Sequence, residues 1–186
     1  MPRQDCPDCG EAMTFCSGYA RKVRHHEDRS IWVRRNKCVP CGRSHSLLPG
    51  FCLLGRLYSA EIIGAALASI VAGTLTREVA DRGDIPYTTV RDWRRRHRSR
   101  ASVLAAGFAA LAVELGGPAP QLSALAERAA LEAFAAAWVA ARARFGPGVA
   151  GRWRFWGLVS GAQVLATTTS PPWLSVGGRR LIPPVP

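Results

Sequence analysis

The sequence is poor in carboxylates, above all in its second half. Of 13 Asp and Glu residues among 186, only Glu114, Glu127 and Glu132 follow Asp92. Two-metal nucleic-acid chemistry requires a cluster of Asp and Glu residues that holds Mg²⁺, normally on a mixed sheet, and this half has neither the ligands nor a strand pattern. We therefore expect no catalytic domain and no enzymatic activity.

Long apolar runs are also missing. The longest strongly apolar stretch without charge, residues 62–76, is too short to cross a bilayer, and residues 155–178 are interrupted by Gly, Gln, Thr and Pro. The first five residues lead into a cysteine pair with no apolar leader. We expect a cytoplasmic protein with no membrane partner.

Lysine is nearly absent, yet the chain is strongly basic. The formal net charge is +12, and 23 of the 25 basic residues are arginine. The planar guanidinium group pairs well with phosphates and base edges. A polyanionic partner is the natural interpretation of this charge, although chains rich in Arg and Ala also arise from GC-rich coding. Apolar residues make up 48% of the chain, so it can bury a core.

Four of the six cysteines form two Cys-x-x-Cys pairs. Cys6 and Cys9 make the first pair, Cys38 and Cys41 make the second, and a glycine follows each pair. A two-residue spacer lets one tight turn present both sulfurs to one ion, and the glycine lets backbone amides turn toward the thiolates. The pairs predict a structural Zn²⁺ site with no open position for a catalytic water, and a redox motif is the alternative.

Residues 1–56 are predicted to form a zinc ribbon. Residues 30–35, Ser-Ile-Trp-Val-Arg-Arg, favour a strand, and metal binding would supply much of the folding energy of so small a module. Cys16 and Cys52 have no partner at ligand spacing and are interpreted as ordinary buried thiols. Three histidines could in principle replace a cysteine but are interpreted as surface or structural residues: His25, His26 and His45.

The ribbon also carries a run of cations that could form a basic face. Direct contact between this face and phosphate is one interpretation, and a merely solvated face is the other. The seven cations are Arg21, Lys22, Arg24, Arg29, Arg34, Arg35 and Lys37.

Residues 57–100 predict a helix-turn-helix. Apolar residues at helical spacing indicate a first helix that Gly73 ends, and a helix, a tight turn and another helix follow. Two helices that cross through a tight turn need a small residue at their approach, a turn residue that tolerates positive φ, and an apolar anchor. Ala80, Asp84 and Val90 meet those needs.

The last of these helices is the predicted recognition helix. With Val90 and Trp93 turned inward, its first turns would enter the DNA major groove, and its later arginines would follow the phosphate backbone. Asp92 is expected to orient a neighbouring arginine, the alternative being a contact with cytosine. The predicted DNA-binding residues are Tyr87, Thr88, Arg91, Arg94, Arg95, Arg96 and Arg98.

At these two motifs the sequence resembles bacterial transposase-like proteins, in which a Cys-Pro-x-Cys-Gly zinc ribbon precedes a helix-turn-helix that ends in Thr-Val-x-x-Trp. Residues 41–49 and the helical block after them resemble, more narrowly, an actinobacterial family of unassigned function described as helix-turn-helix or transposase-related. The resemblance implies DNA binding through residues 87–95. Gly83 and Asp84 depart from the motif, which usually has leucine and glycine at these positions.

The second half of the chain is rich in alanine. Residues 101–168 predict two amphipathic helices, separated at residues 116–118, that serve packing or dimerisation. Residues 152–156, Arg-Trp-Arg-Phe-Trp, could stack on unpaired bases, but anchoring in the core is the simpler interpretation. Residues 169–186 are rich in Pro and Gly and are expected to form an extended or disordered tail.

These patterns predict a mainly α-helical protein with a small N-terminal β zinc ribbon, a helix-turn-helix and alanine-rich helices. The predicted function is sequence-specific or semi-specific binding of double-stranded DNA, as a nucleoid-associated transcription regulator or transposase-derived recognition protein. A second copy of the chain and a transposase are candidate protein partners. Two alternatives stay open: an inactive transposase fragment with a separate catalytic subunit, and an RNA-binding or protein-interaction zinc-ribbon module.

Overall fold

A computed structural model describes residues 4–6 and 8–166, so the predicted tail, residues 169–186, lies outside the described residues. The chain divides into two compact units, Met1–Pro49 and Gly50–Pro186. The first contains a small antiparallel sheet, and the described part of the second is helical. This agrees with the predicted fold class at the level of a mainly α chain with a small N-terminal β module.

The first unit is a three-stranded antiparallel sheet in the order β1-β2-β3. Its strands are β1 (Met13–Arg24), β2 (Asp28–Cys38) and β3 (Ser44–Leu47). The predicted strand, residues 30–35, lies within β2. A bulge between Phe15 and Ser17 shifts the register of β1 against β2. This long hairpin brings the start of β1 next to the end of β2, where Met13 pairs with Cys38.

The second unit contains five helices within the described residues. They are α1 (Ala60–Val71), α2 (Thr76–Arg82), α3 (Tyr87–Glu114), α4 (Ala126–Phe145) and α5 (Arg152–Val159). Ser59 caps α1, because its hydroxyl accepts a hydrogen bond from the Ile62 N–H at 3.3 Å. Gly73 follows α1 with a φ of +112°, which explains why the helix ends there. None of the described helices is long and apolar enough to cross a membrane.

The connection between α2 and α3 is tight. Asp84 has a φ of +47°, and the Ile85 N–H donates to the Ala80 carbonyl at 3.0 Å. Pro86 then directly precedes α3, a position where its fixed φ costs no helical hydrogen bond. Ala80 and Val90 are buried, as the sequence predicts, and Ile85 between them is buried too.

α3 differs from the prediction in length. It runs without a break across residues 100 and 101, where the sequence suggested a boundary between a helix-turn-helix and a packing region. No proline falls within the helix, and Leu104, Phe108 and Ala112 continue its buried stripe after Ala101. The stripe and the helix therefore extend together to Glu114.

The boundary of the ribbon also differs from the predicted residue 56. Residues 50–56 belong to the second unit, in which Leu53 is fully buried and the Leu54 N–H donates to the Ala162 carbonyl at 2.8 Å. Apolar side chains in this segment thus join the helical core rather than the sheet.

The core of the second unit contains buried side chains from all five helices. α4 runs alongside α3 in the same direction, because Glu127 contacts Arg98 near one end and Arg144 donates to the Glu114 carbonyl near the other. Phe108 and Phe134 meet at 5.2 Å between ring centres. Within residues 152–156, Phe155 and Trp156 are buried and Trp153 stacks on Phe134. The aromatic segment therefore anchors the core, as predicted.

Candidate metal centre and nucleic-acid interface

The first cysteine pair lies in a turn ahead of β1. The Gly10 N–H donates to the Cys6 carbonyl at 2.8 Å, and the Cys6 N–H donates to the Glu11 carbonyl at 2.7 Å. Gly10 has a φ of +81°, a conformation that glycine adopts without steric cost. These bonds close the turn around Cys6 and Cys9 and direct both sulfurs to the same side.

The second pair lies at the end of β2 and in the loop to β3. The Cys38 N–H donates to the Arg43 carbonyl at 2.8 Å, and Gly42 has a φ of +71°. Cys41 lies in the loop that these two features hold. Antiparallel pairing between β1 and β2 brings this loop beside the first turn.

The four sulfurs form one cluster. Cys6 Sγ lies 3.6 Å from Cys41 Sγ, Cys9 Sγ lies 3.4 Å from Cys38 Sγ, and all four sulfurs lie within 4.8 Å of one another. The edge of a tetrahedral Zn–S₄ site is ~3.8 Å for a Zn–S distance of about 2.3 Å. All four cysteines are free thiols rather than disulfides. The cluster predicted from the sequence can therefore hold a metal ion.

The electrostatics of the cluster favour a cation at its centre. Burial opposes ionisation of Cys6, yet hydrogen bonds from the backbone of Asp8 and Cys9 lower its pKa to about 6. A hydrogen bond from the backbone of Cys41 favours the thiolate of Cys38, but burial and the other sulfurs raise the pKa of Cys38 to about 12. The Cys6 thiolate thus forms readily, while the Cys38 thiol keeps its proton until a cation replaces it.

His45 lies beside the sulfur cluster. Its Nε2 atom is 3.5 Å from Cys6 Sγ and 3.3 Å from a carboxylate oxygen of Asp8, and Asp8 also pairs with Arg43 at 3.0 Å. These polar groups surround Cys6 without replacing a cysteine in the four-sulfur set. The four sulfurs are enough for a tetrahedral site without a histidine. This arrangement agrees with the interpretation of His45 as a structural residue.

The other two cysteines lie outside this cluster, as predicted. Cys52 is buried in the second unit, as predicted. The prediction that Cys16 is buried is wrong, because this residue lies exposed at the bulge of β1, where it contacts the Arg35 carbonyl at 3.3 Å. Neither contributes a sulfur to the four-cysteine group.

The start of α3 presents a polar and basic surface. Tyr87, Thr88, Arg91 and Arg95 are all exposed there. The guanidinium groups of Arg77 and Arg91 lie 5.5 and 5.8 Å from the centre of the Tyr87 ring. Behind this surface Val90 and Trp93 are buried, so packing fixes the direction in which the exposed side chains point.

Two of the predicted DNA-binding arginines turn toward α4 instead. Arg98 pairs with Glu127 at 3.2 Å, and Arg94 lies 3.8 Å from the same carboxylate and donates to the Thr76 hydroxyl at 3.1 Å. The side chain of Glu127 is only 11% exposed. The sequence gives no sign of this arrangement, because Glu127 is some thirty positions away along the chain.

Asp92 organises the arginines around it. Arg95 and Arg96 each donate to its carboxylate at 2.6 Å, and Arg56 donates at 3.4 Å. Although partial burial opposes ionisation, these hydrogen bonds lower the pKa of Asp92. The prediction that Asp92 orients a neighbouring arginine is confirmed, and Arg56 is a partner that its sequence context did not reveal.

The basic residues of the ribbon do not share one face. Successive side chains of a strand point to opposite sides, and directly paired residues on neighbouring strands point to the same side. Lys22, Arg24 and Arg34 therefore lie on one face of the sheet, and the other four predicted cations lie on the opposite face. Exposed aromatics are the signal that sequence reasoning missed, because Trp32 is 65% and Phe15 is 56% exposed.

Comparison with known proteins adds one match. Residues 6–93, a little under half of the chain, match the model of a domain of unknown function (DUF6431). The matched segment contains all four cysteines of the cluster and ends at Trp93, in the second turn of α3. No curated protein and no solved structure matches the chain. The function of both sites has to be inferred from their geometry.

Proposed function

We propose that the chain binds double-stranded DNA through a helix-turn-helix formed by α2, the turn at Asp84 and α3. The observation that carries the proposal is the row Tyr87, Thr88, Arg91 and Arg95, which is exposed at the start of α3 while the opposite side of the helix is buried. An α-helix fits the major groove of B-DNA, and arginine is the commonest side chain to pair with guanine there.

Within this row the residues have different roles. Arg91 and Arg95 point outward from the first three turns and are proposed to contact base edges. Tyr87 and Thr88 precede them, where hydroxyl groups reach a base edge or a phosphate. Asp92 holds Arg95 at 2.6 Å, which restricts the guanidinium and reduces the entropy lost when it binds.

The remaining predicted contacts are proposed to act differently. Arg94 and Arg98 contact Glu127, and Arg96 contacts Asp92. These arginines are proposed to brace α3 and to raise the local positive potential, which attracts phosphate without reading sequence.

The four-sulfur cluster is proposed to bind Zn²⁺. Four thiolates are a donor set that zinc prefers, and they leave no coordination position for a catalytic water. Cys6, Cys9, Cys38 and Cys41 would each supply one sulfur, and the ion would hold the two turns together. Because the sheet buries few apolar side chains of its own, the metal is proposed to supply much of its folding energy.

The biological role is proposed to be that of a transcription regulator or of a recognition protein from a transposase lineage. Catalysis is not part of the proposal. Of the carboxylates in the second half, Glu127 contacts two arginines, and Glu132 accepts hydrogen bonds from the Ser123 hydroxyl and N–H at 2.7 and 2.8 Å. These contacts support structural roles for both residues.

Fluorescence anisotropy with a labelled DNA duplex, selected from a random pool for tight binding, tests the proposal. The zinc-loaded full-length protein is expected to bind, and the double variant Arg91→Ala/Arg95→Ala is expected to bind at least about tenfold more weakly, because removing one arginine–base pairing costs about 1–3 kcal/mol. Arg142→Ala, which removes an exposed arginine of α4, is the matched control. Equal binding by the double variant and the control would refute the assignment, as would preferred binding of structured RNA.

A further inference from the structure

One face of the sheet combines exposed aromatic rings with cations. The register pairs Gly18 with Arg34, Ala20 with Trp32 and Lys22 with Ser30, so these side chains share one side of the sheet. The bulge at Cys16 inserts one extra residue into β1, so Phe15 pairs with Asn36 and lies on the same side. The Arg34 guanidinium accordingly lies 5.1 Å from the centre of the Phe15 ring. We call this surface the aromatic face. Its members are Phe15, Gly18, Ala20, Lys22, Trp32 and Arg34.

Trp32 lies over Gly18 on the aromatic face. A Cβ atom added to Gly18 would meet three atoms of the Trp32 indole at 2.5 to 2.7 Å. The indole therefore occupies the space that a side chain at position 18 would fill. The residue is nevertheless accessible, since it is 65% exposed. The absence of a side chain at Gly18 thus leaves room for an accessible aromatic ring on this face.

Phe15 forms a second ring position along the same face. It pairs with Asn36, four residues beyond Trp32 on β2, which corresponds to ~13 Å along the strand. The guanidinium of Arg34 lies between the two positions and against the Phe15 ring. The face therefore presents a ring, a cation and a second ring in a row.

We propose that the aromatic face binds single-stranded DNA by stacking unpaired bases on Trp32 and Phe15, while Arg34 and Lys22 contact the backbone phosphates. Sheet faces with exposed aromatic rings are a recurring platform for unpaired bases, because every base has a π-face that stacks. Duplex DNA cannot use this surface, since its bases are already stacked and paired. The charge also fits a polyanion, because Asp28, a carboxylate on this face, pairs with Arg24 at 3.5 Å.

The choice of DNA rather than RNA rests on the proposed function, in which α3 binds duplex DNA. A protein that binds a duplex with one unit and a single strand with the other would recognise DNA that is locally opened. The two activities are assigned to separate residues, so each can fail without the other.

The test measures binding of a labelled oligothymidylate of about 12 nucleotides to the zinc-loaded full-length protein. Trp32→Ala is expected to weaken binding about tenfold, because stacking on one base contributes about that factor. Tyr19→Ala is the matched control, since Tyr19 is an exposed aromatic of the same sheet on the opposite face. Zinc content and far-UV circular dichroism establish that both variants fold.

A conservative variant and a steric variant separate stacking from a general loss of structure. Trp32→Phe keeps a ring and is expected to retain most of the affinity. Gly18→Val places atoms where the indole lies and is expected to weaken binding although both rings remain. Tryptophan fluorescence should be quenched by the oligonucleotide in the unsubstituted protein and less in Trp32→Phe.

The outcomes also distinguish this inference from the proposed function. Trp32→Ala should weaken single-stranded binding and leave duplex binding unchanged, whereas Arg91→Ala/Arg95→Ala should weaken duplex binding and leave single-stranded binding unchanged. Equal single-stranded binding by Trp32→Ala and the unsubstituted protein overturns the inference, and so does an equal loss in Tyr19→Ala. Tighter binding of an oligouridylate RNA than of the DNA oligonucleotide would overturn the assignment to DNA.

Discussion

Single cysteines are expected to decide whether the sulfur cluster can hold a metal ion. Cys38 is fully buried at the end of β2 and lies 3.4 Å from Cys9, whereas Cys16 is exposed on β1 outside the cluster. Cys38→Ser is expected to lower bound zinc from about one ion per chain to a small fraction, because a hydroxyl is a poor replacement for a thiolate ligand. Metal analysis after gel filtration measures this.

Cys16→Ser is the control for that measurement and is expected to retain its zinc. It removes one thiol from the neighbouring strand without touching the four-sulfur set. Equal zinc contents for the two variants would show that the cluster is not the binding site.

His97 is a buried titratable residue in the middle of α3. It is 1% exposed, and neither ring nitrogen has a hydrogen-bond partner among residues 4–6 and 8–166. Burial lowers its pKa from 6.5 to about 4, although the charge of Glu127 on α4 acts in the opposite direction. His97 is therefore neutral in the folded protein at neutral pH.

The depressed pKa makes folding stability depend on pH. Between about pH 6.5 and 4 the unfolded chain binds a proton at His97 that the folded chain does not, so the free energy of unfolding falls as the pH falls through this range. Between about pH 7 and pH 5 the loss from this residue should be about 2 kcal/mol. His97→Leu is expected to reduce the pH dependence by that amount, measured by urea unfolding at both pH values. An unchanged difference between the two pH values would contradict the burial of a neutral imidazole.

At the scale of elements, the sequence predicts the α2–α3 connection well and the length of α3 poorly. Ala80, Asp84 and Val90 occupy the expected positions because a tight turn imposes local requirements on size, φ and polarity that a short sequence displays. The far end of α3 has no such local signal. Its continuation to Glu114 depends on packing against α4, which lies later in the chain.

For the basic residues of α3, too, the sequence shows local features but not contacts with distant parts of the chain. A helical wheel places Arg91, Arg94, Arg95 and Arg98 on or near one outward side, but it contains no information about neighbouring helices. Glu127 on α4 contacts Arg94 and Arg98, so part of their charge is paired within the protein. Similarly, the sequence predicts that successive side chains of β1 point to opposite faces of the sheet. It does not predict the bulge that places Phe15 on the same face as Trp32.

The α3–α4 contact gives a stability prediction. Phe134 is fully buried and contacts Phe108, Trp153, Phe155 and Trp156 at 5.2 to 6.4 Å between ring centres. Phe134→Ala is expected to destabilise the protein by about 3–5 kcal/mol, because it removes apolar contacts and leaves a cavity. Chemical unfolding followed by circular dichroism measures the change.

Val139→Ala is the control on the same helix, where the side chain is 59% exposed. It is expected to change the free energy of unfolding by less than about 0.5 kcal/mol. A similar small effect of Phe134→Ala would mean that α3, α4 and α5 do not pack around this side chain.

At the scale of the whole molecule, the basic residues that give the formal charge of +12 differ in their surroundings. Some arginines are held by carboxylates, as Asp92 and Glu127 show, and others line the exposed start of α3. The total charge therefore predicts a polyanionic partner, but it does not say which arginines would contact that partner. The arginines paired with carboxylates are expected to stabilise α3, and the exposed arginines at its start are expected to contact the partner. Replacing the exposed arginines is therefore expected to weaken binding most.

The salt dependence of duplex DNA binding tests the central claim most directly. Phosphate contacts release counterions, so the logarithm of the binding constant should fall linearly with the logarithm of salt concentration. We expect weaker binding at every salt concentration for Arg91→Ala/Arg95→Ala, with a slope close to that of the unsubstituted protein, because both side chains are proposed to contact base edges rather than phosphates. Binding that does not change with salt, or a double variant whose titration coincides with that of the unsubstituted protein, would contradict DNA binding through the start of α3.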